Sequence, residues 1–394
     1  MTIQNYKVYY SITEDGPWYD LPDVQEINIS IGRQDQLDQA RASTGSISAR
    51  YPTGYVLPNT YLVSGNFIKV QNATDPTNNY IVWLGIISNV TISYGIPFAD
   101  SVGPADRIDI SVEGSFARLG RLQGASYAMA AGTVAVQAAA ATTQITTVVA
   151  YNNPSSTETM GATTVSGTWG DWLARIAQSL NGRIIDGTFA TDVWVRDDDG
   201  WDPVVFPTGV DVSTINFSDT TNDATNQVYD VINFQSVTDN YYTQVIVSAE
   251  GFADATATKA GAVQPYRTYQ VNTLNGSLAQ AQTFADYLLS IYSSQSFELS
   301  SVSCMAEAQN NFKLDTIGGV PVAGSVFQWP FSVGTEITVT FRGTVYPCII
   351  EGCTMSATYA GARFTYYLSQ VITSTPTAYD SPIQYDEAGY IYDN

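Results

Sequence analysis

An alternation of apolar and polar residues, recurring near both ends of the chain, most constrains its fold. Ile27, Ile29 and Ile31 are separated by polar residues, as are Ile108, Ile110 and Val112, and Ile337, Val339 and Phe341. Successive side chains of a strand point to opposite faces, so each triplet defines one buried face of a half-exposed strand. Tyr80-Ile81-Val82-Trp83-Leu84-Gly85-Ile86-Ile87 is a near-continuous apolar run of strand length. Clusters of Pro, Gly and Asn between these runs read as turns. The pattern predicts a mainly β protein with a smaller α/β part.

Along the 394 residues the pattern changes twice. Residues 1–115 read as an N-terminal β-barrel domain. Residues 116–224 read as an α/β insertion module, residues 225–375 as a second β-barrel domain with one packed helix, and residues 376–394 as an exposed acidic and aromatic C-terminal arm. Within the insert, the Ala-rich segment 126–142 favours helix by propensity. Thr168 to Asn181 predicts a second helix. Thr168 is an N-cap, Asp171 follows three residues on, and Gly182 is a C-terminal stop. Trp169, Trp172, Leu173, Ile176 and Leu180 fall on one face of it. Arg183-Ile184-Ile185-Asp186 and Val193-Trp194-Val195 read as strands. In the C-terminal part Val228, Ile232, Phe234 and Val237 lead into Val245, Ile246 and Val247. Ser277 caps a helix with Leu278, Ala281, Ala285, Leu288, Leu289 and Tyr292 as its apolar stripe. Beyond it Gly343-Thr344 turns the chain into Cys348-Ile349-Ile350, and Ala360-Gly361 joins Thr354–Thr358 to Phe364–Leu368.

Composition excludes several chemistries. There is no histidine, which removes Ser-His-Asp and Cys-His catalysis and His-ligated zinc. Net charge is −21, from 16 basic and 37 acidic residues, the wrong sign for neutralising nucleic-acid phosphates. Cys304, Cys348 and Cys353 are odd in number and lack CxxC spacing, so they read as buried, reduced residues rather than disulfides or zinc ligands. The opening MTIQNYKVYY lacks the basic and apolar regions of a secretion signal, and no apolar run reaches the roughly 20 residues of a membrane span. Charged residues are only 13% of the chain, and tyrosines number 26. A weakly charged, Tyr-rich exterior fits a subunit covered by neighbours, because tyrosine is enriched at interfaces.

Few residues invite a chemical role. Asp197-Asp198-Asp199-Gly200 is similar to a calcium loop, but no bidentate Glu follows and the flanks are strand-like, so a hairpin tip accounts for it. Trp169 and Trp172 lie on the apolar stripe of their helix and read as core, whereas Trp201 reads as exposed. A carboxylate pair for glycoside hydrolysis could be drawn from many Asp and Glu residues, and nothing in the sequence marks one. No catalytic, cofactor or metal residue is assigned. Arg outnumbers Lys twelve to four, and Arg suits bidentate carboxylate pairing. Arg33 is the interface candidate, as an inter-subunit or inter-domain ion pair; the alternative is a surface Arg closing its own barrel.

Arg33 sits in Gly32-Arg33-Gln34-Asp35-Gln36-Leu37-Asp38-Gln39-Ala40, which runs into Thr44-Gly45-Ser46-Ile47-Ser48-Ala49. Asn66-Phe67-Ile68-Lys69-Val70 then precedes Trp83-Leu84-Gly85-Ile86-Ile87. This order resembles the N-terminal region of minor tail proteins, or baseplate (tail-tip) hub proteins, of long-tailed bacteriophages, the gp27-like family. Tyr229-Asp230-Val231-Ile232-Asn233 and the helix carrying Ala281, Phe284, Ala285, Leu288 and Leu289 are similar to later parts of the same family. The resemblance implies a non-enzymatic virion protein without cofactors, a homotrimer whose paired barrels form a pseudo-sixfold ring between tail tube and tip. It implies as partners the tail tube, the distal tail and tip or fibre proteins and the tape-measure protein, with DNA only in transit through the lumen and no membrane insertion. A carboxylate-rich lumen would repel passing phosphates. A hexameric distal tail ring protein, and a glycan-binding protein or carboxylate-dependent glycoside hydrolase of the tail, are the alternatives.

Overall fold

The computed structural model describes residues 3, 6–13, 16–34, 37–38, 41–51, 62–72, 81–94, 106–145, 150–152, 158–179, 182–186, 190–194, 196–197, 200–201, 216–220, 226–236, 241–293, 297–306, 333 and 336–370. The expected arm 376–394, the strand-like flank Val204-Val205-Phe206 of the Asp197–Gly200 loop, Leu180, Val195, Val237 and Asp198-Asp199 lie outside them.

Among the described residues, fourteen strands share one sheet. Its path runs Asn226–Val228, Asn216–Ser218, Glu336–Phe341, Thr344–Thr358, Val24–Gly32, Thr44–Tyr51, Asp106–Glu113, Ile81–Ser93, Phe67–Asn72, Tyr6–Ser11 and Tyr19–Asp20. A branch leaves Thr344–Thr358 through Gly361–Gln370 and Phe297–Ala306 to Val231–Ser236. The alternating triplets set the register. Ala357, Ile27, Ile47, Ile110 and Val90 stand opposite one another across five strands. Ile27, Ile47 and Ile110 are at most 1% exposed, and burying each such side chain is worth about 1.5–3 kcal/mol.

Two separate closed barrels are not seen among the described residues. One sheet and one core pass through both halves, with Ile27, Val70 and Trp83 in the same cluster as Phe217, Ile350 and Phe364. The physical reason is the length of Thr344–Thr358. Its 15 residues pair with Glu336–Phe341, with Gly361–Gln370 and with Val24–Gly32, so it belongs to both halves. The two ends of the C-terminal path, Asn226–Val228 and Val231–Ser236, are separated only by Tyr229-Asp230.

Two smaller cores flank the sheet. The helix Trp169–Ser179 is set by a reciprocal capping box. The Asp171 backbone N–H donates to Thr168 Oγ1 (3.1 Å) and the Thr168 N–H to Asp171 Oδ2 (3.1 Å). Trp169 and Trp172 are buried edge to face, with ring centroids 5.6 Å apart. They pack with Phe116, Leu119, Val134, Leu173 and Ile176. The first half of the Ala-rich segment departs from its propensity. Tyr127–Met129 and Gly132–Thr133 are strands, and the helix is confined to Val134–Ile145, the second half of the segment and three residues beyond it. Tyr127–Met129 pairs with Thr163–Val165, a tertiary gain that overrides a weak helical preference.

The helix Leu278–Tyr292 begins at Ser277, whose side chain accepts from the Gln280 N–H at 3.2 Å. It does not pack on a second barrel. It covers its own three-stranded sheet of Ala255–Thr258, Gln244–Ala249 and Thr268–Thr273. Ala281, Ala285, Leu288, Ile291 and Tyr292 are buried, whereas Leu278 is exposed and Leu289 half-buried. Two turns lie one residue earlier than the composition indicates. Phe341 pairs with Thr344, leaving Arg342-Gly343 as the turn, both at positive φ (50° and 80°), the pattern of a type I′ hairpin. Thr358 pairs with Gly361 around Tyr359-Ala360. No helix of the described residues is long and apolar enough to cross a membrane.

Candidate functional site: the seam between the two halves

The place where the halves join is built by two close backbone approaches and one bulge. Thr344–Thr358 slips register between Ile350 and Gly352 against Gly361–Gln370, so Glu351 is the extra residue. A bulge re-aims the side chain it carries. Glu351 is 0% exposed, inside a run of buried residues from Cys348 to Cys353. At the end of Val24–Gly32, Arg33 turns in to meet it. Arg33 Nε donates to Glu351 Oε2 at 2.9 Å, the Arg33 backbone N–H donates to the Glu351 carbonyl at 3.0 Å, and Arg33 Nη1 donates to the Asp38 carbonyl at 3.3 Å. Gly32 has φ +75°, and a Cβ there would meet the Glu351 carbonyl oxygen at 2.5 Å. A Cβ on Gly352 would run into the backbone of Arg33 and Ile31. The seam is thus a charge pair threaded through two glycines.

Arg33, singled out from the sequence, therefore lies between the segments read as the first and second β domains. Its partner Glu351 was not singled out. The signal was present as a lone carboxylate inside the apolar run Cys348-Ile349-Ile350-Glu351-Gly352-Cys353. The Trp83-Leu84-Gly85 strand lies in the N-terminal half. Trp83 is fully buried and donates from Nε1 to Ser43 Oγ at 3.2 Å, and its ring occupies the space a side chain at Gly85 would fill.

The remaining candidates are structural in their contacts. Arg196–Asp197 pairs with Gly200–Trp201 as an antiparallel hairpin. Among the described residues no group of three or more His, Cys, Asp or Glu is placed to hold a metal ion. The three cysteines are free and buried. Burial pushes the Cys304 and Cys348 thiols far above their ordinary range, Asp230 adding to the effect at Cys304. An open cleft of about 710 Å³ lies between the Trp169–Ser179 helix and the Gln244–Ala249/Thr268–Thr273 sheet, lined by Arg175, Glu250, Phe252, Asp254, Tyr269 and others. Its Glu250 is held by Arg175 at 3.0 Å and by the Thr163 hydroxyl at 2.7 Å, so this carboxylate ties the insert to the small sheet.

No protein-family model matches this sequence, and no curated protein matches it. Solved structures do. A tail protein from Neisseria meningitidis MC58 is 15% identical with a TM-score of 0.59, over 93% of this chain and 97% of that one. The 43 kDa tail protein of prophage MuSo2 from Shewanella oneidensis is 12% identical with a TM-score of 0.59, over 92% of this chain and 98% of that one. Over nearly its whole length, then, this chain has the fold of phage and prophage tail proteins, as the resemblance of its sequence implies.

Proposed function

We propose that this protein is a non-enzymatic structural component of a phage tail, the tail-tip or baseplate hub that joins the tail tube to the tip. The observation that carries this reading is the match in fold to two tail proteins over more than nine-tenths of each chain. The seam supports it. A hub bears load between tube and tip, and here the two β halves are locked by strand pairing, a buried ion pair and one continuous core. In the proposed particle three copies surround the axis, each giving two β units to a pseudo-sixfold ring. The net charge of −21 keeps phosphates from adhering to a lumen wall as DNA passes. The partners are further copies of this chain, tail-tube, distal tail and tip or fibre proteins and the tape-measure protein, and the location is the virion.

Light scattering of the purified protein over a concentration series tests this. The hub reading expects a mass of three chains. Six chains favour a distal tail ring instead, and a single chain at every concentration overturns the self-assembling trimer.

A further inference from the structure

Arg33, Arg107, Arg121, Arg175 and Arg363 each meet a carboxylate. Lys7 and Lys69 have no carboxylate partner among the described residues, and they stand on the same face of the N-terminal sheet. In the Tyr6–Ser11/Phe67–Asn72 pairing Lys7 is opposite Gln71 and Tyr9 is opposite Lys69. Tyr6 and Val8 point into the core, which leaves Lys7 and Tyr9 on the outer face. Lys69 Nζ lies 4.4 Å from the Trp18 ring centroid and 5.2 Å from that of Tyr9. Asp20 stands opposite Tyr9 on this same face, whereas Tyr19 stands opposite Tyr10, with the two rings 5.8 Å apart, on the other. The result is an aromatic patch bearing two ammonium groups and one carboxylate, Asp20, on a chain of strongly negative charge. Burial lowers the Lys69 pKa, so its ammonium is poorly hydrated and stands to gain from a carboxylate neighbour.

The chain carries a segment of complementary chemistry. Beyond the last described strand, Gly361–Gln370, lie residues 371–394. They contain Asp380, Asp386, Glu387 and Asp393, the tyrosines Tyr379, Tyr385, Tyr390 and Tyr392, and neither Lys nor Arg. Twenty-four residues reach at most about 80 Å when extended. Tyr366, near their point of departure, shares the main core with Tyr6 of the patch-bearing strand. We propose that the outer face formed by Lys7, Tyr9, Trp18 and Lys69 docks the acidic, tyrosine-rich segment 379–394 of this chain. Its carboxylates neutralise the two ammonium groups, and its tyrosine rings pack beside those of Tyr9 and Trp18, over which Lys69 lies. In an assembly of copies the same contact, made to a neighbour, would tie subunits together.

Zero-length carbodiimide coupling of the full-length protein, mapped by mass spectrometry, tests the contact. The expected products join Lys7 or Lys69 to Asp380, Asp386, Glu387 or Asp393. Their yield should fall several-fold in 1 M salt, where the screening length is about 3 Å, and in the variant Asp386→Asn/Glu387→Gln. Such links within one chain or between two chains both support the docking, and the second assigns the segment to a neighbour. Coupling of the two lysines only to carboxylates of residues 1–370, or to no carboxylate, overturns it.

Discussion

Arg33 Nε and Glu351 Oε2, 318 residues apart in sequence, lie 2.9 Å apart with side chains 9% and 0% exposed. A charge pair sealed this far from water contributes less through its own attraction than its loss would cost, because removing one partner strands the other. Arg33→Met and Glu351→Leu should each lower the unfolding free energy by about 3–5 kcal/mol. The double change Arg33→Met/Glu351→Leu should cost less than either single change. Urea unfolding of the four proteins gives the coupling directly. Additive effects would show that the two groups do not depend on one another.

The glycines beside the pair are under a separate constraint. Gly32 combines φ +75° with no room for a Cβ, and Gly352 abuts the Arg33 backbone. Gly352→Ala should push the two strands apart and cost more than about 2 kcal/mol, within the range of overpacking and backbone strain. Gly45, also crowded, tests generality, while Gly261→Ala meets open space but keeps positive φ and should cost only about 1 kcal/mol. Equal midpoints for Gly352→Ala and Gly261→Ala in urea would contradict this account.

What the sequence makes legible here is local. Period-2 triplets located Val24–Gly32, Asp106–Glu113 and Glu336–Phe341, because one buried face needs no knowledge of the partner strand. Thr168 with Asp171, and Ser277, located two helix starts through side-chain caps that act within three residues. The seam was half legible. Arg33 stood out by type and position. Glu351 did not, because its inward turn depends on a bulge defined only by pairing with Gly361–Gln370. For the same reason the union of both halves in one sheet could not be read. It rests on Val24–Gly32 choosing Thr344–Thr358 as a neighbour, and two amphipathic strands carry no mark of which others they will join. Within 126–142, helical propensity held for 134–142 and failed at Tyr127–Met129, where cross-strand pairing with Thr163–Val165 decided the outcome.

The caps themselves are testable. Thr168 serves the helix that carries Trp169 and Trp172, and Ser277 serves the one that covers the small sheet. Thr168→Ala and Ser277→Ala should each cost about 1 kcal/mol. The two sites belong to different cores, so the double variant should lose the sum. The conservative Ser277→Asp should retain stability, since a carboxylate accepts the same N–H and favours the positive helix end. Thermal or urea unfolding of this series measures each term.

Alkaline pH should unfold the protein through groups that the fold keeps protonated. Burial raises the Cys304 and Cys348 thiols well above their usual value of 9.0. Burial, with Asp219 and Tyr346 nearby, pushes Tyr229 up to about 12 from 10.0, and its hydroxyl donates to the Thr340 carbonyl at 3.1 Å. In each case the folded pKa exceeds the unfolded one. The stabilisation is complete below the unfolded value and is lost as pH rises, because the unfolded chain releases protons that the native state holds. Stability should therefore fall with pH above about 9 as unfolded thiols ionise, and more steeply between 10 and 12 as Tyr229 does in the unfolded chain. Urea midpoints at pH 7, 9 and 10.5 give the slope, and Cys304→Ser should flatten the portion above pH 9 at the cost of a lower midpoint throughout. Thiol labelling gives an independent reading. With all three cysteines 0% exposed, a maleimide at pH 7.5 should modify none of them in the native protein and all three in urea, and rapid labelling of the native protein would contradict the burial on which the pH slope depends.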